Sequence, residues 1–396
     1  MSLILYFALA VALAGTLSSA VFLGLALVGA IRFHADARRQ LRSTPNDAHL
    51  PPISILKPVH GLEAQLEKNV ESFFRQNYPD YEILFAADAP DDPALAVVSE
   101  VCARYPHIRG RVLVTGAPWP NPVVHSFHCL SQAAQHDILV TTDSDVEVSP
   151  NYLREIVPPM LDPKVGMLTC IYRGKNVAGF WSGLTAIGMS VEMTAGVLVA
   201  NLLEGMKFGL GPTTVVRKDS LASIGGYEAL KDYIAYDFAI GNLIAGKGYT
   251  VVLSAHVIDH IVNQTSFQRM WRNQLRWAQS TRYSRPKGHF GSGLIFAMPY
   301  GLLGFAAAAL LGNWKLGALI LGAAVLNRLA EAWLVGWTVV RDPKVHRAPW
   351  LYPLRDLLGF FVWIASYLNL RYTWRDSRFE LKGTKIEMRQ TSSEGR

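Results

Sequence analysis

Asp143 and Asp145 stand two residues apart, directly after the apolar run Asp137-Ile138-Leu139-Val140-Thr141-Thr142. Carboxylates so spaced at the end of a buried strand can aim at one hard cation. Magnesium or manganese takes one or two carboxylates and completes its shell with substrate phosphate oxygens. The competing reading is a polar turn leading into Pro150-Asn151 and the helix beyond. Polar residues also close two earlier apolar runs, Lys57-Pro58 after Ile53-Leu56 and Asp88 after Tyr81-Ala86. His125, His128 and His136 lie close in sequence, but no cysteine pair accompanies them and their spacing matches no zinc pattern. They read as loop or helix histidines. No GxGxxG or GxxxxGK[ST] follows any strand, so dinucleotide and P-loop chemistry lose their main support.

The elements that must hold these residues alternate. Strands are expected at Ile53–Leu56, Tyr81–Ala86, Arg111–Val114 and Asp137–Thr142. Helices are expected at Leu62–Arg75, Pro93–Tyr105 and Ser126–Ala134, the first with Leu62, Leu66, Val70, Phe73 and Phe74 at helical spacing. Such alternation means βαβ units and a mainly parallel sheet. Ligands of these sheets bind outside the carboxyl ends of the strands, where Lys57, Asp88, Asp143 and Asp145 fall. The α/β domain is read as residues 45–285.

Both flanks differ in character. Of the 396 residues 17% are charged and mean hydropathy is +0.18, whereas a soluble chain carries about 25% charged residues. Leu3 to Ile31 holds no charge and exceeds the roughly 20 residues that a membrane crossing needs. A cleaved signal peptide would want a basic segment first, and Met1-Ser2 supply none. Residues 1–32 therefore read as an uncleaved anchor. Arg32, Arg38, Arg39, Arg42 and Lys57 follow it, which puts the next segment in the cytoplasm. Two further spans are expected at 291–312 and 316–340. Residues 350–370 carry Arg355 and Asp356 and read as a re-entrant or interfacial segment, a third full span being the alternative, before a basic tail at 371–396. Arg328 and Glu331, three apart within 316–340, form either a local ion pair or a headgroup or proton site. Val177 to Phe208 is apolar without a clean polar face, either a core helix or a lipid-facing groove. Cys102, Cys129 and Cys170 share no CxxC spacing and fit a reducing compartment. A net charge of +7 in such a chain fits loops facing anionic lipid better than a nucleic-acid groove.

The order of these pieces resembles the inverting nucleotide-diphospho-sugar glycosyltransferases, and more narrowly the ceramide glucosyltransferase family with its bacterial hopanoid-lipid relatives. The likeness is carried by Ile55-Leu56-Lys57-Pro58-Val59-His60-Gly61, Phe73 to Pro79, Asp88 with Asp92-Pro93-Ala94, Asn121-Pro122 and Asp143-Ser144-Asp145. It continues through Gly211 to Lys218, Gly225-Gly226, Tyr236-Asp237, Arg276-Trp277 and the tail residues Trp374-Arg375, Arg378-Phe379 and Leu381. The resemblance implies a GT-A-like α/β domain with a mainly parallel sheet, flanked by N- and C-terminal transmembrane helices. It implies a UDP-sugar donor held by Lys57, Pro58, Asp88 and Asp143, with Mn2+ or Mg2+ on Asp145 and Asp143. Asp237 would be the general base toward a hydroxyl of a membrane lipid, most simply ceramide. Arg276 and Trp277 would close over diphosphate and acceptor. For Asp237 the alternative is a helix N-cap before Phe238. For Arg276-Trp277 it is an interfacial helix from Phe267 to Tyr283. One base without a covalent nucleophile implies inversion. The expected location is a multiply crossed membrane, the bacterial inner membrane, with the catalytic domain on the cytoplasmic side.

Three positions depart from the family pattern. Val123 stands where lysine follows Asn-Pro, Tyr236 replaces the acidic residue before the base, and Asn273 replaces Gln or Arg three residues before Arg276. These changes leave open a lipid glycosyltransferase of other sugar or acceptor, hopanoid lipids included, and a catalytically silent scaffold on the same fold. A transporter or a polymerising synthase would want more spans than this chain offers.

Overall fold

Eight strands form the larger sheet: β1 (Ile53–Pro58), β2 (Tyr81–Ala87), β3 (Arg109–Val114), β4 (Ile138–Thr142), β5 (Val146–Glu147), β6 (Val165–Asn176), β7 (Thr213–Arg217) and β8 (Thr250–Val262). The computed structural model describes residues 2–42, 50–368, 372–374, 377–382 and 384–388. Strand order is β3-β2-β1-β4-β7-β6-β8-β5. The first four strands run parallel, with Ile53 opposite Tyr81 on one side and Ile138 on the other. β7 then pairs antiparallel with β4 and β6, and β5 pairs antiparallel with β8. Strands β1, β2 and β4 are buried along nearly their whole length. They read as continuous apolar runs because both faces are covered. β3 lies at the edge, and its Val112 and Val114 are exposed.

The helices that connect the parallel strands are Leu66–Phe74, Ala94–Arg104 and Pro122–Ala133. The first begins four residues later than its apolar spacing predicts, because Gln65 takes a left-handed backbone (φ 60°) just before it. The third starts on Asn121, whose side chain accepts from the Val124 N–H at 3.2 Å and whose amide donates to Tyr233 O at 2.9 Å. Leu56, Leu84, Val124, Phe127, Leu139, Met167 and Ile240 belong to one buried cluster in this layer, against which Val123 and Tyr236 pack.

The chain divides into two compact units. The sheet unit holds Ala37–Ile171, Met206–Ile261 and Leu370–Arg396, and the helical unit holds Met1–Asp36, Tyr172–Gly205 and Val262–Asn369. The continuous domain expected over 45–285 is therefore interrupted, since residues 172–205 and 262–285 group with the helices. A small antiparallel sheet in the sheet unit orders three strands, Tyr372–Trp374, Ser377–Lys382 and Lys385–Met388. Arg375 and the end of the tail lie outside the described residues, as does the expected boundary at 45.

Among the described residues three helices are long and apolar enough to cross a membrane: Ser2–Gln40, Phe180–Glu204 and Trp314–Val339. The second covers the stretch read as a core helix or a groove, and it is largely buried. The expected span 291–312 is not one helix. It is split between Pro286–Ser292 and Met298–Leu310, and the 13 residues of the latter reach only about 20 Å at 1.5 Å each. Residues Leu351–Leu368 form a single helix.

Buried charges of the helical unit are paired within it. Arg328 meets Glu331 at 2.8 Å and Asp356 at 3.1 Å, and donates to Ser19 Oγ at 2.8 Å. Asp356 also accepts from the backbone N–H groups of Ala297 and Met298, at 3.0 and 2.8 Å, where the helix Met298–Leu310 begins. The i,i+3 ion pair is thus present and is completed by Asp356 from the last long helix. Arg355, one residue before, meets Glu192 at 3.0 Å and donates to Gln274 Oε1 at 2.8 Å. Buried charges persist in apolar surroundings only when so paired.

Candidate active site

Within the sheet unit the ends of β1 and β4 bring four charged groups together. Lys57 is fully buried on β1, and its ammonium donates to the Asp143 backbone carbonyl at 2.5 Å while lying 4.2 Å from the centre of the Phe73 ring. Burial lowers its pKa to about 7, against the pull of Asp145, Asp143 and Glu63. Pro58, the last residue of the same strand, is half-buried. Asp88 follows β2 directly and is partly exposed.

The turn Asp143-Ser144-Asp145 is held from outside. Asn69 Nδ2 donates to Ser144 O at 3.2 Å, the Ser144 hydroxyl donates to Glu63, and the Asp143 N–H reaches Pro212 O at 3.4 Å. Asp143 sits well above the ordinary carboxylate range, first because it is buried and then because Asp145 is close, with Lys57 acting the other way. A carboxylate raised by burial and by a second carboxylate beside it is a site poised for a cation.

His260 was not among the residues picked from sequence. β5 pairs with β8 so that Val146 faces His260, and the Ile261 N–H donates to Asp145 O at 2.8 Å. This register places His260 Nδ1 3.3 Å from Asp145 Oδ1. A carboxylate oxygen of Asp145 is buried there without an aligned hydrogen-bond donor. No sequence signal could have found the contact, since β8 pairs across more than a hundred residues. The donor set, two carboxylates and an imidazole nitrogen, suits a divalent ion that takes its remaining ligands from a diphosphate. Among the described residues no group of three or more His, Cys, Asp or Glu is gathered closely enough to hold an ion unaided.

Asp237 occupies the second position of the helix Tyr236–Gly246, whose N-cap is Ala235. The N-cap reading of Asp237 is therefore corrected: its Oδ2 accepts instead from the Gly211 N–H at 2.8 Å, and its own carbonyl accepts from Gly209 N at 2.9 Å. Glycine is needed for this approach. A Cβ on Gly209 would lie 2.7 Å from Asp237 O, and one on Gly241 would lie 2.5 Å from the Phe208 backbone. Burial pushes the Asp237 carboxyl up, while the Phe238 and Gly211 N–H groups pull it back. Tyr236 is pushed well up by burial, with Asp143 and Asp237 adding to the shift, so its hydroxyl stays protonated. The Asp237 carboxylate also contributes to raising Asp143.

The three histidines near residue 130 have structural partners. His125 Nε2 meets Thr115 O at 3.1 Å, Trp119 packs on His125 and His128, and the His136 N–H donates to Ser54. Arg276 and Trp277 belong to the helical unit, on Phe267–Ser284. Arg276 donates to Asn273 Oδ1 at 3.2 Å, and Trp277 packs on Ala186, Met189 and Val262.

The glycosyl transferase family 21 profile matches residues 16–386. The chain is 24% identical over 393 residues to ceramide glucosyltransferase 1 of Caenorhabditis elegans, covering 95% of this chain and 82% of that protein. It is 24% identical over 346 residues to ceramide glucosyltransferase 3 of the same organism, covering 85% and 74%. Among solved structures it is similar in fold to the mannosyltransferase PcManGT from Pyrobaculum calidifontis in complex with GDP-Man and Mn2+. That match has a TM-score of 0.55 at 16% identity and covers 88% of this chain and 98% of that one. With the family profile spanning nearly its whole length over a GT-A-like sheet, this chain belongs to glycosyl transferase family 21 and is a glycosyltransferase.

Proposed function

We propose that the chain transfers glucose from a UDP-sugar to a hydroxyl of a membrane lipid, ceramide in the first instance, with inversion at the anomeric carbon. The observation that carries this reading is Asp237: a carboxyl raised by burial, fixed by the Gly211 N–H, within electrostatic reach of Asp143. The names of the similar enzymes support the choice of acceptor and sugar.

Asp237 accepts the proton of the acceptor hydroxyl. A raised pKa makes it a stronger base. Asp88 reads the nucleotide base and Asp143 the ribose–phosphate side. Lys57 contributes positive charge beneath the turn and fixes the Asp143 backbone. Asp145, with Asp143 and His260 beside it, would hold a divalent ion. Such an ion, when bound, offsets charge on the departing diphosphate. Tyr236, in place of an acidic neighbour, offers the site a neutral hydroxyl rather than a further negative charge. For Arg276 and Trp277 the proposed roles toward diphosphate and acceptor rest on the motif alone. The catalytic face is proposed to be cytoplasmic, in a bacterial inner membrane, from the basic residues that follow the first helix.

The test is a transfer assay on detergent-solubilised full-length chain, with a panel of UDP-sugars and lipid acceptors and manganese or magnesium supplied. Wild type and Asp237→Ala are run together. A glycolipid made only by wild type identifies sugar and acceptor. UDP binding without donor consumption by any acceptor would replace this reading with the silent scaffold.

A further inference from the structure

The helix Trp314–Val339 ends in a widened turn. The Val340 N–H donates to Val335 O at 3.0 Å, five residues back, and the Asp342 N–H reaches Gly336 O at 2.8 Å. Such π-type hydrogen bonding inside a helix is rare and concentrates at functional positions. Arg341 follows with a left-handed backbone, φ 57°. The chain then turns into the short helix Pro343–Arg347. Between these pieces lies a cavity of about 550 Å³ lined by Trp333, Trp337, Thr338, Arg341, His346 and Arg347.

The lining is basic and aromatic. Among the described residues neither Arg341 nor Arg347 has a side-chain partner, and both are exposed. Trp337 stacks on His346 with ring centres 4.3 Å apart, which sets one wall. The single acidic residue nearby, Asp342, is buried and spent on the Ser190 hydroxyl at 2.6 Å and the Lys344 N–H at 2.8 Å. Arg341, Lys344 and Arg347 outnumber this one carboxylate, so the segment 341–347 stays net positive.

Position supplies the rest. The helix is 26 residues long and apolar enough to cross a membrane, and at 1.5 Å per residue it spans about 39 Å. Exposed tryptophans mark both its ends, Trp314 at one and Trp333 and Trp337 at the other. Tryptophan at that spacing sits at the two headgroup levels. The cavity thus opens where a lipid phosphate lies, and guanidinium groups bind phosphate through several directed N–H donors.

We propose that this cavity binds the phosphate of an anionic phospholipid, with Arg341 and Arg347 on the phosphate, and Trp333 and Trp337 against the glycerol and upper acyl chains. The proposal uses none of the residues of the carboxylate cluster and does not depend on which sugar or acceptor the enzyme uses.

The experiment reads lipid retention and not sugar transfer. Full-length chain in a non-ionic detergent is titrated with phosphatidylglycerol or phosphatidylcholine, and bound lipid is counted by native mass spectrometry. Phosphatidylglycerol is expected to be held about thirty-fold more tightly, at the strength that a pair of basic residues gives near an anionic headgroup. The double variant Arg341→Gln/Arg347→Gln is expected to lose that preference. Lys315→Gln, which removes a charge at the other end of the same helix, is expected to keep it. If the double variant does not fold, Arg347→Gln alone, on an exposed side chain, is expected to lower the preference at least three-fold. Equal retention of the two lipids, or a preference unchanged in the arginine variants, overturns the proposal. Competition by soluble glycerol phosphate at the concentrations effective for phosphatidylglycerol also overturns it, by making this a free-phosphate site.

Discussion

The Gly211 N–H points at Oδ2 of Asp237 from 2.8 Å, and a Cβ on Gly211 would stand 3.2 Å from that same oxygen. One backbone donor therefore both orients the carboxyl and lowers the cost of ionising it, and only glycine leaves that oxygen uncrowded. Burial works in the opposite direction. The balance between the two would suit the proposed role of Asp237 in proton abstraction.

Replacing Asp237 by Asn keeps size and one acceptor oxygen but removes the base. Transfer is expected to fall by at least about 100-fold, the ordinary share of general-base catalysis. Donor binding, followed by isothermal titration with UDP, is expected to change little. A variant retaining more than a tenth of wild-type turnover would exclude Asp237 as the base.

The pH profile has a definite sign. With Asp237 as the proposed base, only its ionised form takes the acceptor proton, and its pKa is raised from the free value of 3.8. Activity is therefore lost as pH falls through a value above the ordinary carboxylate range. The acid limb of kcat/KM should lie above about pH 4, and a limb at or below that value would contradict the buried carboxyl.

Gly211→Ala should act on geometry more than on folding. Its Cβ must push Asp237 aside by a few tenths of an ångström, and displacements of that order cost about ten-fold or more in rate. A lower kcat with nearly unchanged KM for donor and an unchanged melting temperature is the expected pattern. An equal loss in stability would make the glycine structural only.

His260 stands 3.3 Å from Asp145 Oδ1 and is nearly buried. Its replacement by Ala should raise the manganese concentration needed for half-maximal activity by about ten-fold or more, the usual effect of losing a residue that ligates or orients a metal ligand. Chelation with EDTA should abolish wild-type transfer, and added manganese should restore it. Identical manganese titrations in the two proteins would remove His260 from the site.

Arg328→Met tests the buried cluster of the helical unit. It would leave the Glu331 and Asp356 carboxylates, each about 2% exposed or less, without their cation. Breaking one side of such a pair costs about 3–5 kcal/mol, read as a lower melting temperature in detergent. Neutralising all three as Arg328→Met/Glu331→Gln/Asp356→Asn should recover much of it. No recovery would mean that the cluster does more than balance charge.

Much of this protein can be read along the chain. The alternation of Ile53–Pro58, Tyr81–Ala87, Arg109–Val114 and Ile138–Thr142 with helices is a local signal, because a strand buried on both faces must be apolar throughout. The uncharged stretch behind Ser2–Gln40 is equally local, as is the position of Asp143 and Asp145 at a strand end. Long-range pairing decided the rest. The antiparallel half of the sheet, β6 to β8, depends on strands that meet only after the chain has folded back, and its register alone brings His260 to Asp145. The sequence left a helix cap as the alternative to a base at Asp237, because caps and first-turn acids share residue types; the cap is Ala235, and the contacts of Asp237 with the loop glycines 209 and 211 come from tertiary packing. Likewise Arg328 and Glu331 announced an ion pair by their spacing, but their third partner, Asp356, is set by the packing of helices remote in sequence. Spacing fixes which residues share a face. Only tertiary contact decides what that face meets.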